Sequence, residues 1–575
     1  MNNSKVLLSS IAISVLCSVS LEANCQGATA NDAKFEQNTQ TCVLSNKTDS
    51  SAYEIFYGGN SQDVIGKKII IRDSNIIHAG RIAAAISGKN GASTNGNSLT
   101  ISGQNTKIEV NTNQGYAIFG GYNFYEDGTA TNNNVTINQG ATVQSTVYGA
   151  KFGSGGNLSN NSVVIDSANV TGHIFGGALG GSLSVTTTRN NTVNQNSVII
   201  RNNAKVKGNV WGGNSLDGVA NTNSVVNENS VSVNSATVDG NITAGYDGLT
   251  TNKNRVTIDG DANVTGNVRA GMLRLGGNTA AANENSITVG DRAIIGGTII
   301  AGTVGSVKDG DRANKNSVTI KGNAKVGSHV LAAYVENGEE ANENIVTISG
   351  DANITGDVVT ADLVKGKRAD SNILTIDTNA TITGNVLGAH VDNGDEVNAN
   401  SVTIGGNAKI TGSIAGGGSI RSNSLGAMIT NNNKVTIKDR AIIDGNITGG
   451  ESRQVDAQSN NNQVTISKEA NIAKVSKITG GKSSGGTATN NNINIANNIA
   501  SGTTITGGEG DKVADRNQIS ITGDINGTVI GGKSSNGYVT GNSITVTGKV
   551  DGNITGGEAD NIADSNQISI TGDIN

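Results

Sequence analysis

Apolar and polar positions alternate in short bursts along this chain, and the bursts recur. In "NRVTIDGDANVTGNVRAG", residues 254–271, Val256 and Ile258 are followed by Ala262 and Val264 and then by Val268. A period of two means a strand with one face inward, and the β-branched residues at these positions suit a pleated surface. The phrase returns as "NSVTIGGNAKITGSIAGG" at 400–417 and "NKVTIKDRAIIDGNITGG" at 433–450. The intervening "DGD" and "TGN" elements carry turn chemistry, because Gly and Asn accept positive φ at little cost. Each copy therefore predicts about three short strands joined by tight bends.

With the first apolar residue of the "VTI" triplet as marker, copies fall at Leu99, Val135, Val163, Val198, Val231, Val256, Ile287, Val318, Val346, Leu374, Val402, Val435, Val464, Ile493, Ile519, Ile544 and Ile568. "IIIRDSNIIHAG" at Ile69 is a degenerate first copy. Spacings of roughly 24 to 36 residues lie in the window of solenoids. Antiparallel hairpins use similar turns, but stacking triplet on triplet buries every copy alike. An all-β parallel β-solenoid of about 17 rungs is predicted. Length differences collect after the "GG" in tracts such as 179–195, 214–228 and 418–432, which read as Asn/Gly-rich excursion loops on the surface.

Two constants run through the copies. Asn stands two places before the marker, as at Asn97, Asn161, Asn196, Asn229, Asn254, Asn285, Asn316, Asn344, Asn372, Asn400, Asn433, Asn462, Asn517, Asn542 and Asn566. It shares the parity of the marker, which predicts an inward or corner ladder of amides paired from rung to rung. A ligand-binding row is the alternative, disfavoured because buried amides must be paired. The second constant is "[V/I]-x-G-[G/A]", as in "IFGG" at Ile174 and "ITGG" at Ile447, whose glycines are read as permitting the turn that releases the loop. Near the end, "GGEGDKVADRNQISITGDIN" at Gly507 recurs with changes at Gly556, a two-rung unit.

Composition narrows the class. With 35% hydrophobic residues, 15% charged residues and no Pro, the chain is neither a charged disordered tail nor a body that deletes donors from its ladders. A net charge of −6 without a Lys/Arg stripe speaks against a nucleic-acid partner.

Residues 1–23 show one Lys, an apolar run and small residues ending at Ala23, the pattern of a Sec signal peptide. Export leaves Cys25 and Cys42 in the mature chain, and an oxidising compartment predicts a disulfide between them. The domain reading is a leader at 1–23, a cap region at 24–66 and one solenoid at 67–575. A solenoid needs a terminal cap, and none is visible before Asn575, so the natural chain is expected to continue.

Candidate chemistry is sparse. His78, His173, His329 and His390 lie far apart without ligand spacing and read as solvated or turn residues. Asp259, Asp261, Asp291 and Asp351 sit in the turn between the first two strands and read as solvated rather than as a catalytic cluster. "GGEGDKVAD" at Gly507 approaches the glycine-rich calcium nonapeptide, but its Asp comes one place early and the motif is not tandem. Aromatic residues are only 3%, which weakens a sugar-stacking reading. The sequence thus predicts no catalytic, cofactor or metal residue.

A leader followed by tandem "N-S-V-T-I-x-G-x-A-x-V-x-G-x-V-x-G-G" coils with Asn/Gly/Thr-rich excursions resembles the passenger domain of monomeric autotransporters, the type V secreted surface proteins of Gram-negative bacteria. The resemblance covers residues 97–575. It implies a right-handed parallel β-helix displayed outside the outer membrane and a translocator β-barrel downstream of residue 575. It also implies a role in adhesion, aggregation or virulence. The function expected is a rigid stalk, without catalysis, that binds host surfaces, matrix or like molecules on neighbouring cells through its variable loops. The alternative is a β-helix enzyme acting on polysaccharide.

Overall fold

The structure, a computed structural model, describes residues 33–34, 41–46, 48–49, 55–59 and 63–575, apart from 112–115, 126, 154, 181–189, 216–223, 275–279, 308–309 and 419–425. The leader at 1–23, Cys25 and about half of the three excursion tracts fall outside these residues. The described chain is a parallel β-solenoid of about 16 turns, and no helix occurs among the described residues. The marker count of about 17 is close to this. The chain divides into two compact units, Met1–Gly266 and Asn267–Asn575.

A turn has three strands: a marker strand, a short strand and a long strand, as in Ser197–Arg201, Lys205–Lys207 and Val210–Ser215. In the first unit the marker residues pair in parallel register, Leu99 with Val135, then Val163, Val198, Val231 and Val256. Val143, Val170, Val206, Val238 and Val264 form the matching column of the short strands, and Ile118, Val147, Ile174, Val210 and Ile242 that of the long strands. All these side chains are buried. Each contributes about 1.5–3 kcal/mol relative to exposure. Stacking begins upstream of residue 67, since Thr41–Ser45 pairs with Lys68–Arg72.

The second unit repeats the plan. Its markers run in register from Ile287 through Val318, Val346, Leu374, Val402, Val435, Val464, Ile493, Ile519 and Ile544 to Ile568. Short strands persist to Ile442–Ile443, and beyond them the same position is held by single bridges such as Ile499 with Ile525.

A tight corner precedes the marker strand. The residue three before the marker is left-handed in turn after turn, whatever its side chain: Lys315 (φ 58°), Glu343 (57°), Ser371 (58°) and Ala399 (56°). A non-glycine residue there costs about 1–3 kcal/mol unless its surroundings hold it. The surroundings are the amides on either side of it.

Candidate functional site

The Asn two before each marker forms a buried chain of hydrogen bonds. In the first unit it runs from Asn97 through Asn133, Asn161, Asn196 and Asn229 to Asn254, each Nδ2 donating to the next Oδ1 at 2.9–3.1 Å. In the second it runs from Asn285 through Asn316, Asn344, Asn372, Asn400, Asn433, Asn462, Asn491, Asn517 and Asn542 to Asn566, at 2.8–3.1 Å. Each Oδ1 also accepts the backbone N–H of the preceding Asn, as Asn400 does from Asn372 at 2.9 Å. The second Nδ2 hydrogen reaches a backbone carbonyl, as from Asn161 to Ala130 and from Asn433 to Val397. Asn97 through Asn542 are 0% exposed. A row so paired and so covered holds the corner and offers nothing to a ligand.

A second amide row, which the sequence reading missed, lies on the other side of the left-handed residue. Asn342 N–H donates to Asn314 Oδ1, Asp370 N–H to Asn342, Asn398 N–H to Asp370 and Asn431 N–H to Asn398, at 2.6–3.0 Å. In the first unit Asn194 and Asn227 accept likewise from Asn227 and Asn252. The hydrogen bonds of this row run opposite to those of the first. Its signal is the "N-x-N" before the marker, legible as "NEN", "NKN" and "NAN".

Asp370 is the misfit of that row. Burial raises its carboxyl pKa most; the Asn398 N–H lowers it, Glu396 raises it, Arg368 lowers it and Glu340 raises it, leaving a net upward shift. A raised carboxyl is penalised when it ionises, so stability falls as pH rises from the unfolded-chain value, about 3.9, through the folded one. We expect Asp370→Asn to raise the urea midpoint at pH 7. The gain should vanish below the ordinary carboxylate pKa.

The paired glycines have a different role from the one expected. Gly176, Gly177, Gly480 and Gly481 lie inside long strands, and none has a positive φ. A Cβ on Gly177 would lie 2.7 Å from Asn196 Cγ, and one on Gly481 2.5 Å from Asn491 Nδ2. On the first glycine of each pair it would meet backbone: Gly212 O at 2.4 Å from Gly176, and Gly507 O at 2.3 Å from Gly480. The pair makes room for the amide row and for the next turn. It does not release a loop.

The cysteines and histidines divide. Cys42 is disulfide-bonded, while Cys25 lies outside the described residues. His173 and His329 are exposed corner residues whose Nδ1 accepts the N–H of Asn209 (3.1 Å) and of Asp357 (3.0 Å). The His78 side chain lies outside the described residues. His390 contradicts the solvated reading: it sits in the strand Val386–Glu396 and is 0% exposed. Its Nε2 is 2.9 Å from Asp392 Oδ1 and its Nδ1 3.4 Å from Gly418 O. Asp261, Asp291 and Asp351 are exposed turn residues, and Asp351 accepts from Asn379 Nδ2. In the calcium-like segment, Asp511 takes donors from Ser535 and Asn536, which hold its carboxyl below the usual range.

Aromatic, polar and charged side chains gather in columns along the long strands. In the first unit Phe119, Tyr148, Phe175 and Trp211 stand in register and stack with centroids 5.2, 4.7 and 4.5 Å apart. Lys151 Nζ lies 5.0 Å from the Tyr148 ring centre. Burial pushes the Tyr148 hydroxyl up to about 12, with Tyr122 adding to it, and burial lowers Lys151. Four of the sixteen aromatic residues are thus collected into one column.

In the second unit Ile300, Leu331, Val359, Leu387 and Ala415 form an apolar column. Beside it Thr303, Tyr334, Asp362 and His390 follow one another in register. No family model matches the chain, and no curated protein or solved structure matches it either.

Charge alternates in two further columns of the second unit. Arg312, Glu340, Arg368 and Glu396 follow one another from turn to turn, with Arg312 3.7 Å from Glu340 and Arg368 3.5 Å from Glu396. Glu451, Lys482, Glu509, Lys533 and Glu558 do the same, with Lys482 3.0 Å from Glu451 and Lys533 3.0 Å from Glu558. Like charges stacked at the spacing of adjacent strands, about 4.8 Å, would repel. This alternation accounts for a repeat unit of two rungs, "GGKSS" then "GGE", near the end of the chain.

Proposed function

We propose that the chain is the surface-displayed passenger of a monomeric autotransporter, exported through its leader at 1–23 and acting as an adhesion or aggregation scaffold. The observation that carries this reading is the parallel β-solenoid of about 16 turns, the fold typical of such passengers. Two features support a binding role. The interior is spent on aliphatic columns and closed amide rows, while Trp211, Tyr334, Lys482 and Glu509 on the long strands keep part of their surface exposed. Repeated turns present many weak contacts at once, so affinity comes from multivalency. Partners are host-cell surfaces, matrix or like molecules on neighbouring cells. In intact producing cells, antibody raised against the second unit should label the surface, and added protease should remove that label. Label that appears only after the outer membrane is opened would defeat the reading.

One observation favours a second reading, a polysaccharide-degrading enzyme: buried His390 is paired with Asp392, with Asp362 beside it in register. Its test is release of reducing ends or unsaturated sugars from uronate and neutral glycans by the purified chain. Release that disappears in His390→Gln would establish it, and no release from either class would retire it.

A further inference from the structure

The ring column of the first unit ends at Trp211. Within it Tyr148 and Phe175 each lie between two rings and are only 9% and 5% exposed. Trp211 has Phe175 against one face, with centroids 4.5 Å apart and planes 4° from parallel. In register on its other side stands Thr243, which brings no ring. An indole reaches well beyond a threonine side chain, and Trp211 keeps part of its surface exposed. The outer part of its second face is thus a shelf, flanked at steep angles by His173 (5.5 Å, 70°) and Tyr246 (6.4 Å, 67°).

Three observations mark the shelf as a binding site. Asn214 follows Trp211 by three residues, the offset that brings Tyr122 against Phe119 at 4.6 Å and Lys151 over Tyr148 at 5.0 Å. It therefore lies beside the indole, and Tyr246 is its register partner. Asn214 is 1% exposed, and its Oδ1 accepts no hydrogen bond among the described residues. Buried amide oxygens are ordinarily paired, so this one lacks a donor that a ligand hydroxyl would provide. Second, His173 is exposed and its Nδ1 already accepts the Asn209 N–H, so Nε2 carries the ring proton and is left as a donor. Third, Trp211, Asn214, Tyr246 and His173 in this tautomer bring no formal charge.

We infer that the Trp211 shelf binds a neutral saccharide. The C–H face of a pyranose lies flat on an aromatic ring, and its rim of hydroxyls both donates and accepts. One hydroxyl donates to Asn214 Oδ1, and another accepts from His173 Nε2. A purely apolar ligand would leave Asn214 unpaired. An acidic sugar would find no cation among these four side chains to match its carboxylate. The inference rests on the chain being a surface binding protein and names what one of its sites takes.

Trp211 is the one tryptophan of the chain, so its emission reports on this site alone. The test titrates the full chain with lactose, cellobiose and diacetylchitobiose, and with digalacturonate as the acidic control. At least one neutral disaccharide should move the emission to shorter wavelength and saturate, binding roughly tenfold or more tighter than digalacturonate. Followed by calorimetry, Trp211→Leu should abolish binding. That variant should fold, because Leu331 and Leu387 hold the same second position of the long strand in other turns. Thr243→Phe, which sets a ring on the second face as Phe175 does for Tyr148, should abolish binding as well. Emission unchanged by all three neutral sugars, equal binding of digalacturonate, or binding that survives either variant overturns the inference. Adherence of producing cells, measured alongside, separates the two levels. Adherence without saccharide binding defeats the shelf alone, and saccharide binding without adherence defeats the adhesion reading alone.

Discussion

Asn372→Ala is expected to destabilise the second unit by about 3–5 kcal/mol, read as a lower urea midpoint. Asn372 Oδ1 accepts both Asn344 N–H and Asn344 Nδ2, at 2.9 and 3.0 Å, and its own N–H and Nδ2 both donate to Asn400 Oδ1 at 2.9 Å. Truncation strands the Asn344 donors and strips one donor from Asn400, all at 0% exposure. An unsatisfied buried polar group costs about 1–3 kcal/mol, and more than one is created. The adjoining left-handed Ser371 loses one of the amides that hold its corner, so exchange of backbone amides should accelerate there first. Asn372→Asp should be worse at neutral pH, since it sets a carboxylate against the Asn400 carbonyl oxygen. A loss below about 1 kcal/mol for the alanine variant would show that the row contributes little.

The second large effect is expected at the glycine pairs. Gly480→Val should cost about 3 kcal/mol, because its Cβ would sit 2.3 Å from Gly507 O, a backbone atom that moves only with its whole turn. Gly305→Ala is the internal control, with its nearest contact at 3.4 Å, and should change the midpoint little. Similar midpoints for the two variants would refute the close-approach account. The chain itself places Ala244, Ala301 and Ala332 at the position of the first glycine in other turns. The approach is therefore set by the local run of turns, not by a single residue.

What runs along the chain is legible in the sequence, and what runs across it is not. Val256, Ile258, Val264 and Val268 alternate within a dozen residues, so the strands and their inward faces were legible, as was Asn254 by its fixed distance from Val256. The glycine pairs were misread because what excludes a side chain at Gly177 is Asn196, a contact that exists only once a second turn is stacked. The aromatic column, the alternating charges and the Thr303–Tyr334–Asp362–His390 column were hidden for the same reason. Their members lie 28 or more residues apart in most cases, at unequal intervals, and meet only through register. His390 looked solvated because no sequence neighbour predicts its burial. The left-handed corner was missed because Lys315, Glu343 and Ala399 carry no turn signature. The amides flanking them do.

The central claim, that this solenoid is a binding scaffold on the cell surface, is tested most directly by adherence. Producing cells would be compared with cells lacking the gene, and with cells whose chain has residues 181–189, 216–223 and 419–425, within the excursion tracts, replaced by short Gly/Ser links. Attachment to host cells and settling of the culture would be counted. The account predicts roughly tenfold fewer attached or settled cells in the absence of the gene, and a comparable loss when only the tracts are replaced while surface label persists. Attachment and settling that remain unchanged in the gene-deleted cells would contradict it.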